Sequence, residues 1–245
     1  MSRLIGSGSG DRLHLPEVTI VSINGKDPEK SIAAIRHSSR EIEFGRQLLI
    51  TNRPMGRESI EGIEIQVEDE LNTLTDYNRF CLLELHDRIE TEFCLIVQPD
   101  GFVVNPSLWS DFFLNYDYIG APWNHLRSLE ALQLSGHPAS FLPTPIVGNG
   151  GFSLRSRRLL KLVASLNPET TLLAEDCVIS VKRRQELESA GMRFAPVRLA
   201  QQFSLEWHIN QFSVIGNHFG FHGRFSHFDP YLKITGMDAN SRNLS

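Results

Sequence analysis

Short runs dense in Val, Ile, Leu and Phe, bounded by turn residues, alternate along this chain with stretches whose apolar residues recur at three- and four-residue spacing. LPEVTIVSI predicts a buried strand starting after Pro16 and ended by Asn24-Gly25, before a helix over roughly 28 to 41 that Pro28 can open in its first turn. RQLLITN gives a second strand ending at Asn52, GIEIQVE a short third, and TDYNRFCLLELHDRI a helix with Phe80 and Leu83 on its apolar side. EFCLIVQPDGFVV predicts a strand that stays apolar until Gln98. Beyond Asp100 the pattern loosens. YDYIGAPW reads as a short strand and turn, and residues 124 to 145, with Pro138, Pro143 and Pro145, as a long loop. VGNGGFSLRSRRLLKLVASL then gives a glycine-rich turn, a short strand and an amphipathic helix, AEDCVISVKRRQELESAG a second helix, and RFAPVRLA a final strand.

Strands alternating with helices predict an α/β fold with a mostly parallel central sheet covered on both faces. Ligands bind such sheets beyond the carboxyl ends of the strands, which gathers Ser22, Asn24, Thr51, Asn52 and Gln98 to Gly101 at one edge. The 245 residues suffice for a single sizeable domain over 16–235, between a flexible leader at 1–15 and a tail at 236–245. Within it, 16–105 reads as a nucleotide-binding half and 106–235 as a smaller acceptor and catalytic half.

Composition narrows the classes. With 41% hydrophobic and 22% charged residues the chain is an ordinary globular protein, and its net charge of -5 gives no global attraction to polyanions. Arg155, Arg157, Arg158 and Lys161 form the local basic cluster, equally readable as the solvated face of a helix. Cys81, Cys94 and Cys177 suggest neither a disulfide framework nor a zinc site, which fits a reducing cytoplasm. No stretch has the length of a signal peptide or a membrane span.

Four segments carry chemistry. Asp100 follows the apolar run CLIV and precedes Gly101, a placement that suits a metal-diphosphate site and also a plain Pro-Asp-Gly turn. VGNGGFSLR lets the backbone at Gly150 and Gly151, beside Asn149, approach a sugar or diphosphate. It lacks the pattern of a phosphate loop or a dinucleotide fingerprint. Glu175-Asp176 opens a predicted helix, where acids complement the dipole, and either carboxylate can serve as a base for an acceptor hydroxyl. In NHFGFHG, His218 and His222 stand four apart among glycines that argue for a loop rather than a zinc-binding helix, and His222 remains an acceptable metal ligand. His37, His86 and His208 show no partner spacing and are read as structural.

Taken together, YNRFCLLELHDRIETEFCLIVQPDGFVVNP, YDYIGAPW, VGNGGFSLRS, AEDCVIS and FGFHG resemble a bacterial and viral glycosyltransferase-like family known mostly as a domain of unknown function. The resemblance spans roughly residues 17 to 223 and is similar more broadly to GT-A glycosyltransferases. It implies a Rossmann-like GT-A fold and transfer of a sugar from a nucleoside diphosphate donor, UDP-linked, to an acceptor hydroxyl with inversion. Gln98-Pro99-Asp100 occupies the place of the family's Asp-x-Asp motif, so Asp100 matches its last acid and Gln98 departs from its first. The resemblance implies Mn²⁺ or Mg²⁺ held by Asp100 and His222, and Asp176, with Glu175 beside it, as the catalytic base. Gly150 and Gly151 with Trp123 and Asn149 would line the sugar and acceptor pocket. Ser22, Asn24, Asn52 and Tyr77, chosen by position, would surround the base and ribose with Gln98. A surface glycan is the expected acceptor, a modified base in viral DNA the alternative. Two other classes stay open: a non-catalytic nucleotide- or carbohydrate-binding module of the same fold, and a nucleotidyltransferase.

Overall fold

A computed structural model describes residues 12–168, 173–207 and 215–237. The expectations for residues 1–11, for His208 and for the tail beyond 237 lie outside the described residues. In chain order the strands are β1 (Leu13–Ile23), β2 (Ile42–Thr51), β3 (Ser59–Ile60), β4 (Ile63–Val67), β5 (Phe93–Ile96), β6 (Tyr118–Gly120), β7 (Ser153–Ser156), β8 (Ser204–Leu205) and β9 (Gly220–Phe221). The α-helices are α1 (Pro28–Ser38), α2 (Leu74–Leu83), α3 (Leu85–Arg88), α4 (His125–Leu134), α5 (Arg157–Ser165), α6 (Glu175–Cys177), α7 (Arg184–Ser189), α8 (Val197–Phe203) and α9 (Asp229–Leu232).

Seven strands form one sheet in the order β3-β4-β2-β1-β5-β7-β6. Its centre, β4-β2-β1-β5, is parallel, while β3 at one edge and β7 and β6 at the other run antiparallel to their neighbours. Successive side chains of a strand point to opposite faces, so the continuous apolar runs feed two cores. Val21, Leu48, Ile50, Cys94 and Ile96 meet Phe80, Leu85 and Leu160 from α2, α3 and α5. Ile20, Leu49, Leu95 and Leu154 join the second core, which holds Ile32 and Ile35 of α1. Burying side chains of this size stabilises by about 1.5–3 kcal/mol each.

Several expectations are corrected. β1 starts at Leu13, before Pro16, because a register shift between Leu15 and Thr19 absorbs the proline's missing N–H. Helix α1 stops at Ser38 rather than near 41. The expected loop at 124–145 contains α4: Asn124 caps it by accepting from Arg127 N, and Ser128, Ala131 and Leu132 face inward at helical spacing. The stem of this excursion is closed by hydrogen bonds from Trp123 N to Ile146 O (2.9 Å) and from Gly148 N to Ala121 O (3.2 Å). RFAPVRLA is not a strand. Only Phe194 bridges to Tyr118, and after Pro196 the chain turns into α8. The helix expected over AEDCVISVKRRQELESAG is broken into α6, a π-helical turn at Val178–Lys182, and α7.

Below the carboxyl end of β5 lies an aromatic block in which Phe113, Phe152, Phe203 and Phe219 make mutual ring contacts. Phe221 is set edge-on to Phe102 with centroids 5.0 Å apart. This block anchors β8 and β9, a separate two-stranded parallel sheet. Among the described residues no helix is long and apolar enough to cross a membrane.

Candidate active site

The turn that the sequence allowed around Asp100 is present. Gln98 N donates to Gly101 O (2.7 Å) and Gly101 N to Gln98 O (2.9 Å), so the segment after β5 is a tight turn with Asp100 at its tip. Gly223 N donates to Asp100 O at 2.8 Å, and Arg224 Nε donates to Asp100 Oδ2 at 2.8 Å. Arg224 was not singled out in the sequence.

His222 arrives at this turn from β9. Leu205 pairs with Phe221 in parallel register, and His222 N donates to Leu205 O (2.9 Å), which continues the ladder and sets Glu206 beside His222. The imidazole Nε2 lies 3.3 Å from Gln98 Oε1, and Nδ1 lies 3.1 Å from Asn149 Nδ2 and 3.2 Å from Glu206 Oε1. Burial pulls the His222 pKa down. The hydrogen bond to Glu206 and the charges of Asp100, Glu206 and Asp176 outweigh it and hold the ring above its ordinary value.

The third wall is the glycine-rich turn before β7. Asn149 takes a left-handed backbone conformation (φ 68), its Oδ1 accepts from Phe152 N, and Tyr118 Oη donates to its carbonyl at 3.0 Å. A Cβ on Gly151 would fall 2.1 Å from His222 Nε2, and one on Gly150 would fall 1.9 Å from Glu175 Oε1, so the close approach itself requires glycine. Gly150 N donates to Asp176 Oδ2 (3.0 Å) and Cys177 N to Asp176 Oδ1 (2.7 Å), which fixes a carboxylate that is still partly exposed.

Glu175, the neighbouring acid, is differently placed. It is 2% exposed, and Arg155, fully buried, donates to both its oxygens at 2.7 and 2.8 Å. Burial pushes the Glu175 carboxyl up against the opposing pull of Arg155. The pair ties α6 to β7 and leaves Glu175 covered where Asp176 is partly exposed. Trp123 is likewise 1% exposed, lying under Gly148 with Arg127 over its ring, and offers no face to a sugar.

The structure joins Gln98, Asp100, Asn149, Gly150, Gly151, Asp176 and His222 into one cluster. Tyr77 is tied to it by accepting from Gln98 Nε2 at 3.1 Å. Asn24 and Asn52 sit apart, at the ends of β1 and β2. Asn24 binds Asp27 O and Ser31 Oγ at the start of α1, and Asn52 binds Leu71 O. Ser22 is fully buried and its hydroxyl has no hydrogen-bond partner among the described residues. Of the basic cluster, Arg155 is inside the protein and Arg158 pairs with Asp117. Arg157 and Lys161 line a hollow with Phe93 at the amino end of β5, away from the site.

Among the described residues no three His, Cys, Asp or Glu side chains group into a ready-made metal site. The donors at hand are one carboxylate, one imidazole and the Gln98 amide oxygen. That mixture suits Mn²⁺ or Mg²⁺ when substrate oxygens and water complete the shell, and in this sense the residues fit such a cation.

A parallel α/β centre carrying this cluster at the carboxyl end of β5 defines the chain as a protein of the GT-A glycosyltransferase fold. A solved glycosyltransferase involved in the glycosylation of the major capsid of PBCV-1 is similar over 88% of this chain and 98% of its own, with 14% identity and a TM-score of 0.51. The galactosyltransferase LgtC, solved with donor and acceptor sugar analogs, is similar over 83% and 86% with 10% identity and a TM-score of 0.44. The mannosyltransferase PcManGT from Pyrobaculum calidifontis, in complex with GDP-Man and Mn²⁺, is similar over 78% and 58% with 14% identity and a TM-score of 0.42. At 14% identity the likeness to the capsid-glycosylation enzyme speaks to the fold. No curated protein matches the sequence. The chain belongs to the family described as a protein of unknown function, DUF5672, whose pattern matches residues 62–222.

Proposed function

We propose that the chain is a glycosyltransferase that moves a sugar from a nucleoside diphosphate donor, with uridine as the base, to an acceptor hydroxyl with inversion at the anomeric carbon. The observation that carries this reading is the convergence of Asp176 on Gly150, and of Gln98 and His222 on Gly151, with Asp100 close enough to act on the His222 ring. The Gln98, Asp100 and His222 group suits a departing diphosphate, and Asp176 an attacking hydroxyl.

Asp176 takes the acceptor proton. Its two oxygens each accept one backbone N–H, which keeps the carboxylate aimed while lone pairs remain for the hydroxyl. As the acceptor oxygen bonds to the anomeric carbon, the bond to the diphosphate breaks and negative charge grows on the leaving group. Arg224, held by Asp100, supplies positive charge there. A divalent cation, Mn²⁺ or Mg²⁺, supplies further charge compensation when bound, and Asp100 and His222, with the Gln98 amide oxygen, would hold it. The nucleoside would extend from Tyr77 towards Asn24 and Asn52. Glu175 fixes the position of Asp176 through Arg155 and is not the base. A glycan acceptor is favoured over DNA because the Arg157 and Lys161 hollow lies away from the site.

Asp176→Asn tests the reading. Transfer from a UDP-sugar should fall by about 10²–10⁴-fold, with UDP affinity by calorimetry unchanged. Transfer by this variant at the wild-type rate would sink the base assignment.

A further inference from the structure

Two neighbours of His222 Nδ1 make opposite demands on it. Asn149 Nδ2, at 3.1 Å, can only donate, and its orientation is set because Asn149 Oδ1 accepts from Phe152 N. It therefore asks for a lone pair on Nδ1. Glu206 Oε1, at 3.2 Å, can only accept while ionised and asks for a proton there. A hydrogen bond to a carboxylate is roughly twice as strong as one between neutral groups, so Glu206 prevails.

The consequence appears on the other side of the ring. In the neutral ring, with its proton on Nδ1, the Nε2 lone pair faces Gln98 Oε1 at 3.3 Å, and two acceptors confront one another. Adjacent oxygen or nitrogen ligands of an octahedral cation with bonds of about 2.1 Å stand about 3.0 Å apart, close to this separation. Glu206 is itself mostly covered, its side chain 14% exposed, and Oε2 is buried without a hydrogen-bond partner among the described residues. A carboxylate kept in such a position does more than pack.

We propose that Glu206 is a positioning residue: by binding His222 Nδ1–H it fixes the tautomer whose Nε2 lone pair, with Gln98 Oε1, presents two adjacent corners to a divalent cation. This rests on the reading of Asp100 and His222 as metal ligands. It adds a residue that directly follows β8 and that the sequence did not mark, and it gives Gln98, the departure from the two-acid motif, a ligand's role.

The full chain labelled with nitrogen-15 histidine, studied by NMR in alkaline solution where the ring is neutral, should show the His222 proton on Nδ1. Glu206→Ala should move it to Nε2, and Glu206→Asp should keep part of the original signal. Free Mn²⁺ measured by electron paramagnetic resonance with UDP present should show affinity reduced about 10–100-fold in Glu206→Ala. A proton on Nε2 in the wild type, or a ring unchanged in Glu206→Ala, overturns the role of Glu206. Equal Mn²⁺ uptake by wild type and Asp100→Asn would instead overturn the metal reading, while the NMR result on Glu206 stands by itself.

Discussion

Gly151 and Gly62 are constrained for different physical reasons, and the difference can be measured. A methyl group on Gly151 would lie 2.1 Å from His222 Nε2 and 2.8 Å from Gln98 Oε1, so it must push the imidazole out of place. Gly151→Ala is expected to lower kcat/KM about 100-fold, the cost of misplacing a reacting group by an ångström, with little change in Tm. Gly62 has open space around it but sits at φ +84 in the turn between β3 and β4. Gly62→Ala should instead cost about 1–2 kcal/mol in urea unfolding and leave kcat/KM unchanged. The glycines of VGNGGFSLR and the acid after CLIV were legible because such residues punctuate a sequence. Glu206 and Arg224 were not. Their meaning lies in which distant side chain each one touches, and neither spacing nor composition reports that.

At the scale of elements, the Arg155 and Glu175 pair couples β7 to α6 and thereby sets Asp176. Arg155 read as part of a basic surface because it neighbours Arg157 and Arg158, yet it points inward from β7 while they open α5. Arg155→Met would leave a buried carboxylate unpaired and should cost about 3–5 kcal/mol in chemical unfolding. Arg155→Met combined with Glu175→Gln should recover a good part of that loss. The strands that form the sheet's centre were readable from their apolar runs, since burial on both faces leaves few polar positions. Helix α4 was hidden by the prolines of its segment, although Asn124 and the spacing of Ser128, Ala131 and Leu132 carried its signal and Pro138, Pro143 and Pro145 all follow its end. The stretch after Phe194 misled in the opposite sense, because Val197 and Leu199 suit a strand while Pro196 suits a helix start.

For the whole molecule, acid stability offers a probe of the packing of α1. Burial first, and then the charge of Arg40, bring the His37 pKa down to about 4. In the unfolded chain the ring takes up its proton near pH 6.5. The stability conferred by the neutral ring is therefore present above pH 6.5 and lost as pH falls towards 4. Urea unfolding across that window should show a flatter acid limb for His37→Asn than for wild type.

The stem at Ala121–Trp123 and Ile146–Gly148 also bears on how such a protein can diverge. Because the two ends of the 124–145 excursion are tied to each other and α4 is packed into a core of its own with Cys177 and Val181, the stretch between α4 and Ile146 can change in length without moving Asn149 to Gly151. Doubling a closed loop costs only about 0.6 kcal/mol. Evolution, or an engineer, can thus treat that stretch as an exchangeable cassette carried on a fixed chemical frame.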